Sequence, residues 1–408
     1  MVRLADLGDP AATWQYAERY LGGGTRSYSR FAADSDLAAE HHPQHGATRF
    51  RVPTFWVDPP RAGILTGLPS PLPALYRDGQ RLLLPVHPGA LALPAVAADL
   101  AGCPPGPPVE VVPSANARTV FVERLGAQPV PPHFLKLHYP RRLSRFTRRL
   151  RRPVIALQLW VAGELARIGA PVLPEVAGGV VGTDPTHAWG FLVRGARVPG
   201  GDRWPLTVPL FALYGRDLRA PADPTLLEQL VGHTGEEPLG WLASRLLRPM
   251  ITLWVEALLR TGCAIELHGQ NTLLCLSSDL RATRVGYRDC AVYVDPAIRA
   301  GLGLGPELPP RNVIGRDLDQ PRERVLSLVY DSFLGHHTLA YLARLARRAF
   351  GVDPVALHAH ARKLFAEAVA AHRGPPGLLP PTVWYYDDRL HPDGGWTLVD
   401  TGAPPRWR

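Results

Sequence analysis

Alternating apolar and polar positions predict strands, and apolar positions three or four residues apart predict helices. Residues 118–123 (RTVFVE) and 134–139 (FLKLHY) alternate as strands with one buried face do. Further strands are predicted at 188–194, 206–213, 263–268, 271–277, 283–294, 382–387 and 395–400. Helices are predicted at 9–21, 86–101, 141–168, 226–232, 238–261, 321–350 and 353–373. Because strands and helices are grouped rather than alternating, the pattern predicts an α+β fold with antiparallel sheets.

An arginine-rich segment opens the predicted helix 141–168 (RRLSRFTRRLRRPVIALQLWVAGELARI), which we expect to kink or split at Pro153. Its basic residues include Arg145 and Arg148, and they alternate with apolar residues such as Phe146. This spacing is typical of an amphipathic helix with one packed face. A solvated or nucleic-acid-binding face is the alternative.

Four polar residues interrupt the apolar segment AIELHGQNTLLCL (264–276). In a strand, Glu266, His268 and Gln270 would share one face, because side chains alternate with a period of two, and Asn271 would lie at a turn. Buried polar groups are costly unless they are paired. The segment is therefore either a hydrated sheet edge or the floor of a ligand site.

A second acidic residue follows in VGYRDCAVYV (285–294), where Arg288 and Asp289 are adjacent. Magnesium binds a few carboxylates together with phosphate oxygens, so Asp289 and Glu266 are candidates to share one ion. A structural ion pair between Arg288 and Asp289 is the alternative.

Hydroxyl, amide and guanidinium groups gather at a predicted loop-to-strand junction, PSANARTV. Ser114, Asn116, Arg118 and Thr119 suit the recognition of an oxyanion. Lys136 lies on the next predicted strand. It belongs to a set of only two lysines among 45 basic residues, which suggests a need for the compact ammonium group.

Histidines crowd the segment EHHPQHGATRFRV near the start of the chain. His41, His42 and His45 admit a zinc interpretation, but no cysteine completes a set at metal-ligand spacing. Anion binding by His42, His45 and Arg49 is the stronger interpretation.

The overall charge and the absence of two nucleotide-binding motifs limit the classes of function to consider. The net charge is +9, which suits nucleic acid, anionic lipid or anionic small molecules. The chain has no apolar run of about 18 residues and no apolar signal core at its start, so we expect a cytoplasmic protein without a membrane span. Neither a Walker loop nor a Rossmann glycine fingerprint occurs.

Five motifs together resemble the IucA/IucC family, the siderophore synthetases that act independently of nonribosomal peptide synthetases. GCAIELHGQNTLL, with YRD downstream, is similar to the core of the family's C-terminal half. HPQHGATRFR resembles its HPxHPxxKxR motif, and LPVHPGA resembles its HPWQ segment. SANARTV and LKLHYPRRLSRFTRRL resemble its Arg-Thr and Lys-Leu segments. The motifs occur in the family order between about residues 37 and 294.

This resemblance implies a fold shaped as a cupped hand, with a thumb (1–113), fingers (114–255) and a palm with a helical C-terminal region (256–408). It also implies that ATP and Mg²⁺ are used to adenylate a carboxylate, such as a citrate-like polycarboxylic acid or an amino acid. An amine or hydroxyl then gives an amide or ester in siderophore or other natural-product biosynthesis, and AMP and pyrophosphate are released.

Small-molecule acids, amines and alcohols are therefore the expected partners, without nucleic acid or membrane, and a homodimer is possible. The alternative is a catalytically degenerate homologue that binds a nucleotide or a polyanion as a partner protein.

The resemblance also assigns roles to individual residues. The implied catalytic residues are Arg118, Lys136 and His268. The implied magnesium ligands are Glu266 and Asp289. The implied nucleotide-binding residues are His42, His45, Arg49, Ser114, Asn116, Thr119, Arg148, Gln270 and Asn271.

This sequence departs from the family pattern mainly in its first half. It has 408 residues, whereas family members usually exceed 500. Gly89 and Ala90 stand where the family has Trp-Gln, Arg49 stands for a lysine, and Ala115 and Asn116 replace hydroxyl residues. The resemblance therefore supports ATP use more strongly than citrate use.

Overall fold

The computed structural model describes residues 9–21, 36–143, 146–387 and 397–408. The chain forms two compact units. The sheet-rich unit consists of Ser29–Gly163 and Leu173–Val198. The helix-rich unit consists of Met1–Tyr28, Glu164–Val172 and Pro199–Arg408.

Helix α1 (Pro10–Tyr20) begins the described chain, in the helix-rich unit, and Asp9 caps its N-terminus. The strands that follow in the sheet-rich unit are β1 (Phe50–Val52), β2 (Thr54–Val57), β3 (Ala62–Thr66), β4 (Arg77–Asp78), β5 (Arg81–Pro85), β6 (Val109–Pro113), β7 (Thr119–Leu125), β8 (Gln128–Leu137), β9 (Tyr139–Leu143), β10 (Phe146–Arg148), β11 (Glu175–Val181) and β12 (Trp189–Gly195). The helices between them are α2 (Pro88–Leu91), α3 (Pro94–Asp99) and α4 (Arg152–Arg167).

An antiparallel sheet with the strand order β1-β6-β7-β8-β12-β11-β3 organises the described part of the sheet-rich unit. On β8, Leu135 and Leu137 join the apolar core of one face. Lys136 points to the opposite face, as alternation requires, and α4 covers this face. Helix and sheet approach closely at Gly178, where a Cβ would lie 2.1 Å from Cγ2 of Ile155.

The segment 141–168 differs from its prediction as one helix. Strands β9 and β10 pair as an antiparallel hairpin, so Arg148 lies on a strand. Helix α4 begins only at Arg152, which puts Pro153 in its first turn, where a missing N–H costs nothing. The segment is therefore split just before Pro153, but the part that precedes the split is a pair of strands and not a helix. Arg145 lies outside the described residues.

The rest of the helix-rich unit contains short strands and a larger set of helices. Its strands are β13 (Leu206–Pro209), β14 (Cys263–Ala264), β15 (Thr272–Leu276), β16 (Thr283–Tyr287), β17 (Tyr293–Val294), β18 (Trp384–Tyr386) and β19 (Leu398–Asp400). Its helices are α5 (Phe211–Tyr214), α6 (Leu226–Thr234), α7 (Pro238–Leu242), α8 (Arg248–Thr261), α9 (Pro296–Gly301), α10 (Arg322–Ser327), α11 (Ala340–Phe350) and α12 (Pro354–Ala371).

A small antiparallel sheet of this unit has the order β13-β15-β16, and a π-helical stretch, Leu328–Leu339, joins α10 to α11. The predicted strand 263–268 ends early, because β14 stops at Ala264, residues 265–267 are irregular and the chain turns at 268–271. The alternation argument that placed Glu266, His268 and Gln270 on one strand face was therefore wrong.

Within the described residues, no helix combines the length and the apolar character that a membrane span requires. The thumb, fingers and palm boundaries remain a prediction.

Candidate functional site

The residues Glu266–Asn271, called here the site turn, form an irregular segment that ends in a turn at 268–271 and is stabilised by its own hydrogen bonds. The His268 N–H donates to the Glu266 carbonyl at 2.9 Å. The N–H groups of Asn271 and Thr272 both donate to the His268 carbonyl at 3.0 Å. The turn therefore places its polar side chains through a fixed backbone rather than through strand alternation.

Donors from other elements of the helix-rich unit satisfy the other carbonyls of the site turn. These bonds run from the Thr338 hydroxyl to Leu267 (3.0 Å), from Phe211 N–H to Gly269 (3.0 Å), from Arg288 Nε to Gln270 (2.8 Å) and from Arg288 N–H to Asn271 (2.9 Å). All six carbonyls of the turn thus accept a hydrogen bond, which is the full satisfaction that buried backbone requires. The π-helical stretch, α5 and the exit of β16 jointly set its conformation.

Gly269 is required by close packing inside this turn. A Cβ at this position would lie 1.9 Å from the hydroxyl of Tyr214 and 3.3 Å from Cβ of Phe211. The Tyr214 ring is stacked on Tyr341 at a centroid distance of 5.2 Å, which limits its movement. No side chain therefore fits at residue 269 without a shift of Tyr214.

Backbone groups of the two predicted magnesium ligands, Glu266 and Asp289, meet at the hydroxyl of one buried phenol, Tyr287. The Tyr287 hydroxyl accepts from the Glu266 N–H at 3.4 Å and donates to the Asp289 carbonyl at 2.8 Å. Burial raises the pKa of Tyr287 well above its usual value, and the charges of Glu266 and Asp289 raise it further. The structure thus brings these two residues close to the same hydroxyl group.

This donor set fits magnesium better than a metal held by protein ligands alone. Across the described ranges, no group of three or more His, Cys, Asp or Glu side chains could hold a metal ion. Mg²⁺ is usually held by one or two carboxylates with water and substrate phosphates. Glu266 and Asp289 match that pattern.

Arg288 has a different partner from the one its sequence position suggests. Its guanidinium binds the carboxylate of Glu18 on α1 rather than the adjacent Asp289. Sequence reasoning did not find Glu18 or Thr338, because their contacts with the site region span long sequence separations. An acid in the last turn of a helix, where cations are favoured, was the weak signal for Glu18.

The predicted oxyanion-binding residues of the sheet-rich unit lie close together, as a strand-junction cluster (Ser114, Asn116, Arg118, Thr119, Lys136 and Arg148). Thr119 is the cross-strand neighbour of Lys136. The Arg118 guanidinium donates to the Arg148 carbonyl at 2.9 Å. The Ser114 hydroxyl accepts from the Asn116 N–H at 3.3 Å. The predicted grouping of β7 with β8 is thus present in the structure.

Lys136 is buried at this cluster, with 1% of its surface exposed. Its ammonium donates to Oε1 of Gln158 on α4 at 2.8 Å, and the Gln158 amide donates to the Val154 carbonyl at 3.3 Å. Sequence analysis missed Gln158, although a glutamine within the apolar run VIALQLWV was a usable signal.

The predicted anion-binding histidines form a local structure of their own. The rings of His42 and His45 are stacked at 4.9 Å. Nδ1 of His42 accepts from the N–H groups of Gln44 (3.2 Å) and His45 (3.4 Å), so neutral His42 carries its proton on Nε2. Arg49 forms an exposed ion pair with Glu123 on β7. Nδ1 of His42 thus organises the loop.

Comparison with known proteins gives one family model and several solved structures. The family described as ferric iron reductase FhuF-like transporter matches residues 239–386. No curated protein sequence matches the chain.

Three solved structures, two of aerobactin synthetases and one of a petrobactin biosynthesis protein, resemble this one. The ATP-bound aerobactin synthetase IucA of a hypervirulent Klebsiella pneumoniae pathotype has a TM-score of 0.71 at 16% identity, over 99% of this chain and 80% of its own. The petrobactin biosynthesis protein AsbB of Bacillus anthracis str. Sterne has a TM-score of 0.69 at 14% identity, over 97% and 75%. The aerobactin synthetase IucC of the same Klebsiella pneumoniae pathotype has a TM-score of 0.62 at 18% identity, over 84% and 66%.

The similarity at this low sequence identity establishes the fold. The predicted resemblance to the IucA/IucC synthetases is confirmed at the level of the fold, and so is the α+β class with antiparallel sheets and a helical C-terminal region.

Proposed function

We propose that this chain, which has the fold of the IucA/IucC siderophore synthetases, is an ATP-dependent ligase. A carboxylate oxygen of the acid attacks the α-phosphorus of ATP, which gives an acyl adenylate and pyrophosphate. An amine or hydroxyl then attacks the acyl carbon, and AMP leaves as the amide or ester forms. The acid is a citrate-like polycarboxylate or an amino acid, and the product is a siderophore or a related natural product.

The observation that carries this proposal is the site turn. Its backbone is held by donors from several elements, and it brings Glu266 near Asp289. A fixed backbone holds charged and donor groups in place before the reaction, which is how most enzymes stabilise developing charge. The likeness of the fold to an ATP-bound synthetase supports ATP as the substrate that meets these groups.

Adenylation builds negative charge on phosphate oxygens, so the protein must supply cations and donors. In the sheet-rich unit we assign this role to Arg118 and Lys136. In the helix-rich unit, His268 would donate to the reacting groups, and Glu266 and Asp289 would hold Mg²⁺. The ion would supply positive charge to the phosphate oxygens.

Other residues are proposed to bind the nucleotide or to position it. In the strand-junction cluster these are Ser114, Asn116, Thr119 and Arg148. In the site turn they are Gln270 and Asn271, and in the N-terminal loop they are His42, His45 and Arg49. A cytoplasmic location and a homodimer are further parts of the proposal.

The test is acid-dependent exchange of labelled pyrophosphate into ATP, together with AMP release, over a panel of citrate, succinate, 2-oxoglutarate and amino acids. We expect Arg118→Ala and His268→Ala each to lower exchange by about 100-fold or more, as the loss of a charge-stabilising donor does. Arg124→Ala on the same strand as the cluster and the exposed His360→Ala are the matched controls, and both should retain activity. Wild-type-like exchange by both site variants would refute the proposed roles.

A second candidate is a homologue that binds a nucleotide or polyanion without catalysis. The burial of Lys136 against Gln158 favours it, because this proposed catalytic cation already has a protein partner. Calorimetry that finds tight ATP binding, with no AMP formed across the whole panel, would select this candidate over the ligase.

A further inference from the structure

Arg288 connects the site turn to the first helix of the chain. Its Nε donates to the Gln270 carbonyl at 2.8 Å, and its backbone N–H donates to the Asn271 carbonyl at 2.9 Å. The NH1 group of the same guanidinium binds Oε1 of Glu18. One residue thus ties two successive carbonyls of the turn to α1.

Glu18 is held firmly where it meets this guanidinium. It lies in the last turn of α1 and also accepts a hydrogen bond from Nε1 of Trp14 at 3.1 Å. The side chains of Glu18 and Arg288 are only 1% and 5% exposed. Helix α1 packs against β13, and the hydroxyl of Tyr16 donates to the Asp217 carboxylate at 2.8 Å.

A buried ion pair is weak evidence for a stabilising role, because well-packed apolar residues often replace such a pair without loss. What such a pair does is fix the orientation of the guanidinium. A guanidinium presents its donors in a rigid fork, so an acceptor at one position fixes where the other donors point. With Glu18 holding NH1, the Nε donor is aimed at the Gln270 carbonyl.

We propose that Glu18 is a positioning residue, which acts through Arg288 to hold the site turn in its conformation. The effect on catalysis rests on the proposed function, whereas the effect on the turn does not. Glu18 contacts the guanidinium that donates to the Gln270 carbonyl, so its proposed contribution passes through Arg288.

Hydrogen–deuterium exchange, read by mass spectrometry on peptides covering 264–276 and 284–292, tests the proposal directly. In Glu18→Gln the carboxylate becomes a neutral amide of the same shape, which binds a guanidinium more weakly. We expect the amides of Asn271 and Thr272 to exchange about tenfold faster in this variant, because local opening becomes easier. Arg288→Lys keeps the charge but loses the Nε donor, and it should give the same result.

Glu175→Gln provides the matched control, because Glu175 and Arg194 form another buried ion pair, with side chains 0% and 3% exposed, in the sheet-rich unit. It should speed exchange in β11 and β12 and leave the site turn unchanged. If Glu18→Gln does not fold, Arg288→Lys decides the question. Unchanged exchange of the turn in the variants that fold would overturn the proposal.

Kinetics separate this proposal from the proposed function. If the wild type exchanges pyrophosphate, Glu18→Gln and Arg288→Lys should lower kcat/KM for ATP about tenfold, and Glu175→Gln should not. If the wild type is inactive, the ligase assignment fails, and hydrogen exchange still decides whether Glu18 positions the turn.

Discussion

Replacing Gly269 by alanine would put a methyl carbon 1.9 Å from the Tyr214 hydroxyl. Ordinary contact begins near 3.4 Å, so the phenol must retreat by about 1.5 Å, while Tyr341 stacks on its ring. Overpacking of this kind costs about 1 to 3 kcal/mol. Alanine restricts the unfolded chain more than glycine does, which by itself raises the free energy of unfolding by about 0.4 to 1 kcal/mol. We therefore expect Gly269→Ala to lower the free energy of unfolding by about 1 to 2 kcal/mol.

The assay is hydrogen exchange of peptides from the site turn at increasing urea concentration, which reports each unit separately. The Gly269→Ala variant should open the turn at lower urea, and Gly269→Ala with Tyr214→Phe should recover most of the loss, because the nearest remaining ring atom is 3.1 Å away. Gly232→Ala on α6 meets no atom within 4 Å and should stabilise by about 0.5 to 1 kcal/mol. If Gly269→Ala matched the wild type, the packing argument for this glycine would be refuted.

Three further predictions concern the sheet-rich unit. Burial lowers the pKa of His87 and of His138 to about 3, so the unfolded state binds more protons between about pH 6.5 and 3. The free energy of unfolding should therefore fall in this window as the pH falls. His87→Asn keeps a capping oxygen for α2 and should reduce the slope of the unfolding free energy against pH by up to about 1.4 kcal/mol per pH unit. An unchanged slope in urea titrations would contradict this. Gln158→Leu removes the acceptor of Lys136 and should cost about 1 to 3 kcal/mol in urea unfolding, and a neutral result would show that another group takes over. Arg49→Ala loses only an exposed ion pair, so a change above about 1 kcal/mol in the same assay would be unexpected.

Local periodicity predicted those parts of the fold in which neighbours along the chain decide the conformation. Alternation located β7 and β8, and their antiparallel register then brings Thr119 beside Lys136. The helices after residue 321 were also predicted from the sequence, but the π-helical character of Leu328–Leu339 was not. In these segments the apolar pattern and the final burial agree.

The site turn could not be predicted in the same way, because its conformation depends on distant residues. The donors Phe211, Arg288 and Thr338 come from other elements of the unit, and no local pattern in 264–276 indicates them. The grouping of polar residues there led to the site prediction, but the strand geometry derived from it was wrong. The role of Pro153 could not be predicted for a different reason, which is local: a proline is compatible both with a kink inside a helix and with the first turn of a helix, and the sequence does not distinguish the two.

Since groups other than its own side chains satisfy the carbonyls of the site turn, the partly exposed side chain of Gln270 can be exchanged with little effect on the path of the chain. Gln270 contributes only its carbonyl to this framework. If Gln270 contacts the nucleotide as proposed, selectivity can therefore change at this residue, in evolution or by design, without rebuilding the scaffold.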